Sequence, residues 1–281
     1  MNPNIYDIVI IGAGASGMMA AGEAASSGAK VLLLEKMERP GRKLLITGKG
    51  RCNITNTAEF KDFIKHFQPN ENYIKHVFGQ FFNTDLISFF NEHGVDTDEE
   101  RGGRVFPTSD SSHDIVDALV LWLRKNRVDI WTRASADKFI MEDEKLKAVK
   151  LYDGRQVFGK VFILATGGAS YPATGSTGDG YRMVKPLGHN VTEIYPALVP
   201  LLTGGDTAKL LEGLSLKNIN ARILLDTKVL FEEFGEMLFT AKGVSGPVIL
   251  SLSRNVVPML HQKQELTLSI DLKPAVYENT L

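Results

Sequence analysis

"YDIVIIGAGASGMMAAGEAASSGAKVLLLE", residues 6–35, decides how the rest of the chain is read. Residues 6–11 are a short apolar run of the kind that a strand buried on both faces needs. An Ala-rich segment follows to Ser27, where Gly28 supplies a helix stop. Residues 30–35 form a second apolar run, so strand, helix and strand joined by short loops predict one βαβ unit of a parallel sheet. Between the first strand and the helix stand Gly12, Gly14 and Gly17, spaced G-x-G-x-x-G, a pattern informative only in this strand-to-helix context. Gly12 permits the tight turn, Gly14 lets a phosphate approach the backbone, and Gly17 lets helix and strand pack closely. The free N–H groups that open the helix, around Ala15 and Ser16, then favour an anion. Glu35 ends the second strand, where an acid accepts hydrogen bonds from an adenosine ribose and disfavours the 2′-phosphate of NADP.

Directly after that acid the charge changes. Residues 36–51 carry Lys36, Arg39, Arg42, Lys43, Lys49 and Arg51 against the single acid Glu38, in a chain of formal net charge −1. Such a loop would face a pyrophosphate, which Lys and Arg neutralise, Arg through a bidentate fork. For Arg39 and Lys49 a solvated charge run is an equal reading. A nucleotide P-loop in "GRKLLITGKG" is excluded, because Gly41 and Gly48 are too far apart and Gly50 stands where a magnesium-holding Ser or Thr belongs.

Downstream, phenylalanines at helical spacing in residues 57–93 predict helices covering the sheet. The Ser/Asp-rich start at residues 109–114 predicts a capped amphipathic helix ending near Asn126. From Asp129 the period shortens to that of strands, predicting an antiparallel meander and a return strand, "KVFILA", into the main sheet. After Gly188, "YPALVPLL", "INARILL", "KVLFEEFGEMLFT" and "ELTLSIDL" all read as strands. The expectation is an α/β fold: a Rossmann-like domain over residues 1–190 with parallel sheet and meander, then a β-rich domain over residues 191–281.

Composition narrows the classes. The 281 residues suit one large or two ordinary domains, and 43% hydrophobic with 23% charged content is globular. The near-neutral charge gives no general attraction for nucleic acid or membrane. The apolar runs are too short to span a bilayer, and no leader-like segment opens the chain, so a cytoplasmic location is expected. Cys52, the single cysteine, forms no intrachain disulfide and suits a reducing compartment. Histidines 66, 76, 93, 113, 189 and 261 are scattered without ligand spacing, so no metal site is expected.

Assembled, these residues resemble the two-dinucleotide-domain flavoproteins of the glutathione-reductase type. The resemblance is closer to the bacterial FAD-binding family that includes aminoacetone oxidase and the BaiN-like (YhiN-type) flavoproteins. The matching text is "DIVIIGAGASGMMAA", "LLLEKMERPGRKLLITGKGRCNITN", "GRVFPTSD", "ATGGASYPATGSTGDGY" and "FTAKGVSGP". It implies FAD as cofactor, with adenosine at the Gly12–Glu35 unit. The flavin would lie beside the loop from Arg42 to Asn53, which includes Thr47, Gly48 and Gly50. By the same likeness Ala136 would touch adenine through backbone, and Thr166 and Gly167 would end the return strand against the cofactor. Asp179, in a "STGDG" similar to that of the fumarate reductase flavoproteins, would sit near ribityl and pyrophosphate; an Asx turn without a ligand is the alternative. The family is longer and carries a late glycine-rich return motif that residues 191–281 lack, so a C-terminal truncation and an incomplete second domain are expected.

The activity implied is an FAD-dependent oxidoreductase in which a small-molecule substrate, for which the family suggests an amine, passes hydride to flavin N5, with NAD(P)H or oxygen as redox partner. A non-catalytic FAD-binding sensor or scaffold is the alternative. A flavin-dependent RNA-modifying enzyme is less favoured, given the neutral charge and lone cysteine. No catalytic side chain is named by the sequence.

Overall fold

Four consecutive residue pairs, Ile8 with Val31 through Ile11 with Leu34, join β1 (Ile5–Ile11) to β2 (Val31–Leu34) in parallel, and α1 (Ala15–Ser26) crosses between them. The computed structural model describes residues 5–67 and 71–275, and it divides between Val191 and Thr192 into two compact units. The first unit continues through α2 (Arg42–Ile46), β3 (Thr55–Asn56), α3 (Phe60–Lys65), α4 (Glu71–Phe78), α5 (Asn83–Glu92), β4 (Thr97–Glu100), β5 (Arg104–Pro107) and α6 (Ser112–Lys125). It ends with β6 (Asp129–Trp131), β7 (Ala136–Glu142), β8 (Lys145–Leu151), β9 (Gln156–Leu164) and α7 (Asp179–Val184).

The main sheet runs β6-β2-β1-β9-β8-β7, parallel from β6 to β9 and antiparallel in the β8–β7 meander. This is a Rossmann-like α/β domain. Alternation along the central strands explains why their text is apolar throughout. Ile10 and Leu33 join a core with Met18 and Ala21 of α1 and Leu119 and Leu123 of α6. Val9, Ile11, Leu32 and Leu34 join the opposite core with Ala136, Val149, Leu151 and Met183. Ile10, Leu32, Leu33 and Leu34 are at most 1% exposed, and burying each side chain contributes about 1.5–3 kcal/mol. The crevice for a ligand opens where the chain leaves β1 and β9 on either side of the sheet's centre, the usual place in such folds.

A three-stranded sheet, β3-β5-β4, was not legible in the sequence. Its strands are two to four residues long, below the length at which alternation registers.

The second unit contains β10 (Leu201–Leu202), α8 (Thr207–Leu210), β11 (Ser215–Leu225), β12 (Lys228–Thr240), β13 (Gly243–Ser245), α9 (Pro247–His261) and β14 (Leu266–Asp271). Its antiparallel sheet runs β10-β13-β12-β11-β14. Of "YPALVPLL" only Leu201 and Leu202 enter the ladder, because Pro196 and Pro200 have no N–H to donate. The 15-residue α9 lies between the stretches read as strands and was not foreseen: Val248, Ile249, Leu252 and Val256 are buried on one helical face. A cavity of about 440 Å³ lies in this unit, bordered by both edge strands and by Phe239, Val256 and Leu260.

Candidate dinucleotide-binding site

The turn after β1 is fixed by collisions. Gly12 has φ +105°, and a Cβ there would lie 2.5 Å from the Ala165 carbonyl oxygen. A Cβ on Gly17 would lie 1.8 Å from the Gly12 carbonyl oxygen, so only glycine lets α1 start this close to β1. At Gly14 a Cβ meets nothing within 4 Å, which leaves the backbone open towards the cavity it lines. No side chain caps α1, so the N–H groups of its first turn have no intrahelical partner.

Glu35 is only 9% exposed and does more than the sequence suggests. One carboxylate oxygen accepts the Ala13 N–H at 2.9 Å and the other accepts the Met37 N–H at 2.8 Å. The acid therefore staples the glycine turn to the start of the next loop. Each oxygen keeps lone-pair capacity for a further donor in the cavity. Its backbone carbonyl also takes the Ala134 N–H at 2.8 Å, which sets residues 134–136 as a wall of the same space.

The cavity measures about 360 Å³ and lies wholly in the first unit. Of the residues singled out from sequence, Gly12, Gly14, Ala15, Ser16, Glu35, Lys36, Arg42, Lys43, Thr47, Ala136, Thr166, Gly167 and Asp179 line it. Gly17 sits beneath the turn and shapes the site without lining it. Gly48, Gly50 and Asn53 do not line it either. The Asn53 amide is spent on the Thr55 and Val105 carbonyls, at 2.9 and 3.0 Å, and so ties the loop to the small sheet. Cys52 beside it is buried in the core, and burial pushes its thiol pKa up. Ala134, Ser135 and Met183 also line the cavity without having been singled out from sequence, and so do Gly175 and Ser176, which stand in the matching text "ATGGASYPATGSTGDGY" without a role of their own.

The basic loop is largely occupied by protein partners. Lys36 donates to Asp179 at 2.6 Å and to the Thr177 hydroxyl at 2.7 Å. Arg42 pairs with Glu38 and donates to the Ala173 carbonyl at 3.3 Å. Lys43 donates to the Ser170 carbonyl at 2.9 Å. Arg51 pairs with Glu100 and Asp110 and stacks on Phe106, its guanidinium 4.0 Å from the ring centre. Arg39 and Lys49 are exposed. At Asp179 burial alone would raise the carboxyl pKa, but the hydrogen bonds from Lys36 and Thr177 outweigh it and hold the pKa below the ordinary value. Among the described residues no cluster of His, Cys, Asp and Glu could hold a metal ion, and no helix is long and apolar enough to cross a membrane.

Residues 6–249 match the family described as HI0933-like protein Rossmann domain. The chain belongs to this family. Two curated relatives are similar over nearly all of the chain. A 3-dehydro-bile acid delta(4,6)-reductase of Clostridium scindens is 34% identical over 95% of this chain and 64% of its own length. A ribosomal RNA dihydrouridine synthase of Escherichia coli is 32% identical over 97% of this chain and 66% of its own length. The chain thus spans just under two thirds of each. In fold it resembles the solved Escherichia coli quinol fumarate reductase, with TM-score 0.54 and 15% identity over 78% of this chain and 44% of that one.

Proposed function

We propose that the cavity binds FAD and serves a flavin-dependent reduction of a carbon–carbon double bond conjugated to a carbonyl group. The observation that carries the cofactor assignment is Glu35, a buried carboxylate held by two backbone N–H groups at the edge of an uncapped helix start. Glu35 would accept the ribose hydroxyls, and the N–H groups around Ala15 and Ser16 would meet a phosphate. Residues 134–136 would flank adenine, while Thr166, Gly167 and Asp179 would border the ribityl side. Bound FAD supplies hydride transfer at its N5. The chain's own part is to bind and orient it; its catalytic acid or base is not assigned.

The direction of transfer is supported by the names of the two relatives, a delta(4,6)-reductase and a dihydrouridine synthase. Both names describe hydrogen added across a double bond of a ring. The substrate would then receive hydride from reduced flavin, with NAD(P)H as the electron source, rather than give hydride up as an amine would. A steroid-like conjugated ketone is the first substrate class. A uridine of ribosomal RNA is the second, favoured by the 32% identical relative and set against the chain's near-neutral charge.

One experiment tests both halves. The purified protein is incubated with FAD and desalted, and the retained flavin is read by absorbance; no retained flavin sinks the cofactor assignment. The loaded protein is then reduced without oxygen and mixed with a steroidal conjugated ketone or with unmodified ribosomal RNA. Return of the oxidised flavin band with one of them identifies the substrate class, and no return with either overturns the proposed reduction.

A further inference from the structure

The loop between β9 and α7 forms part of the cavity wall and is built as a closed strap. Its ends meet where the Gly178 N–H donates to the Gly168 carbonyl at 3.0 Å. Inside, the Thr174 and Gly175 N–H groups donate to the Tyr171 and Pro172 carbonyls, each at 2.9 Å. Thr174, Gly175 and Ser176 line the cavity from this side. Gly175 rests on the opposite rim: at φ +101°, a Cβ there would come within 3.1 Å of Met37 and 3.4 Å of Lys36.

That opposite rim is the basic loop, and its cations reach the strap in series. Lys43 holds the Ser170 carbonyl, Arg42 the Ala173 carbonyl, and Lys36 both Thr177 and Asp179. Three attachments from one rim to successive points of one loop are not what a phosphate-binding cluster needs. Of the four acceptors two are neutral backbone carbonyls and a third is the Thr177 hydroxyl, which call for a donor and a reach, not for charge neutralisation. Lys36 and Asp179 are each about a quarter exposed, so their pair is shielded from full solvent screening.

We infer that residues 168–178 are a strap that retains the dinucleotide, and that Lys36, Arg42 and Lys43 are its fasteners: positioning residues that act on the cofactor through the strap. The inference rests on the proposal that the cavity takes FAD. A bound dinucleotide leaves only after the fasteners release, so they govern how long it stays more than how tightly its phosphates are held.

The test compares Lys43→Met and Lys36→Met with Lys49→Met, which removes the same charge from an exposed lysine of the same loop. Amide hydrogen exchange is measured on protein without FAD, with the β1 amides as the folding control. The strap assignment predicts faster exchange at Thr174, Gly175 and Gly178 in the first two variants, unchanged β1 protection, and no effect of Lys49→Met. Unchanged strap exchange in both overturns it. FAD release is then timed after dilution into a flavin-free chase. Release about tenfold faster in the first two variants, for the loss of one or two hydrogen bonds, is the expected result. Equal acceleration by Lys49→Met, with the wild-type rate rising steeply with salt, would return the cations to a phosphate-neutralising role and overturn the proposal. Wild-type protein that takes up no FAD ends the retention claim at its premise, while faster strap exchange in the variants would still show that the lysines fasten the loop.

Discussion

The turn at residues 12–17 and the basic loop at residues 36–51 are neighbours at one cavity, yet they obey different rules. In the turn, residue choice is enforced by backbone collisions: 1.8 Å at Gly17 and 2.5 Å at Gly12 leave room for no side chain. In the basic loop, Lys36, Arg42 and Lys43 could each reach several acceptors, and the fold hands them Asp179, Ala173 and Ser170. The collision of Gly17 with Gly12 is local and can be read from spacing alone, while that of Gly12 with Ala165 adds the return strand to the same demand. A long cation's partner is set by whatever the chain brings within its reach, here residues more than a hundred positions away.

The largest expected effect tests the steric side. Gly17→Ala should cost about 3 kcal/mol of stability by overpacking and abolish flavin uptake, measured by urea unfolding and by absorbance after desalting. A variant as stable as wild type would break the claim that collisions fix this turn. Next comes Glu35→Ala, which strips a partner from the Ala13 and Met37 N–H groups and should cost about 1–3 kcal/mol for the buried donor even without ligand. Loss of FAD affinity with unchanged apo stability would reduce Glu35 to a ligand contact only.

A smaller effect is expected from acid. The Asp179 pKa is depressed in the folded chain, so its pairing with Lys36 contributes fully above the ordinary carboxylate value of 3.8 and is lost as pH falls through the lower folded value. Strap amide protection should therefore hold constant from neutral pH to about that value, and drop only below it. A decline already near neutral pH would mean that another group closes the strap. The smallest effect is at Lys49, exposed and away from the strap, where Lys49→Ala should change stability by no more than about 0.5 kcal/mol in thermal unfolding. A larger loss would sharpen the comparison by giving this lysine a structural role.

What could be read in advance follows the same division. The βαβ unit, the meander and α6 were legible because period and glycine spacing act within a dozen residues. Gly12 and Gly14 were legible for the same reason, and Glu35 because the second strand of that unit ends on it. The tie from Asn53 to the small sheet was not legible, because its partner Val105 lies half a hundred residues on. Helix α9 was overlooked because β-branched Val248, Ile249 and Val256 favour strands locally, and only their shared burial on one face tells otherwise. The strap glycine Gly175 stood in a quoted motif, but its contact with Met37 depends on the fold.

Cys52 has a consequence of a different kind. It is the chain's only thiol, 2% exposed and held at φ +63° in the turn that ends the basic loop. Burial also keeps it protonated, hence unreactive. An alkylating reagent can reach this sulfur only when the turn comes apart, so a single covalent mark per molecule records the first opening. The protein carries a one-shot timer in the loop that joins its cavity to its small sheet, readable by mass and silent until that loop lets go.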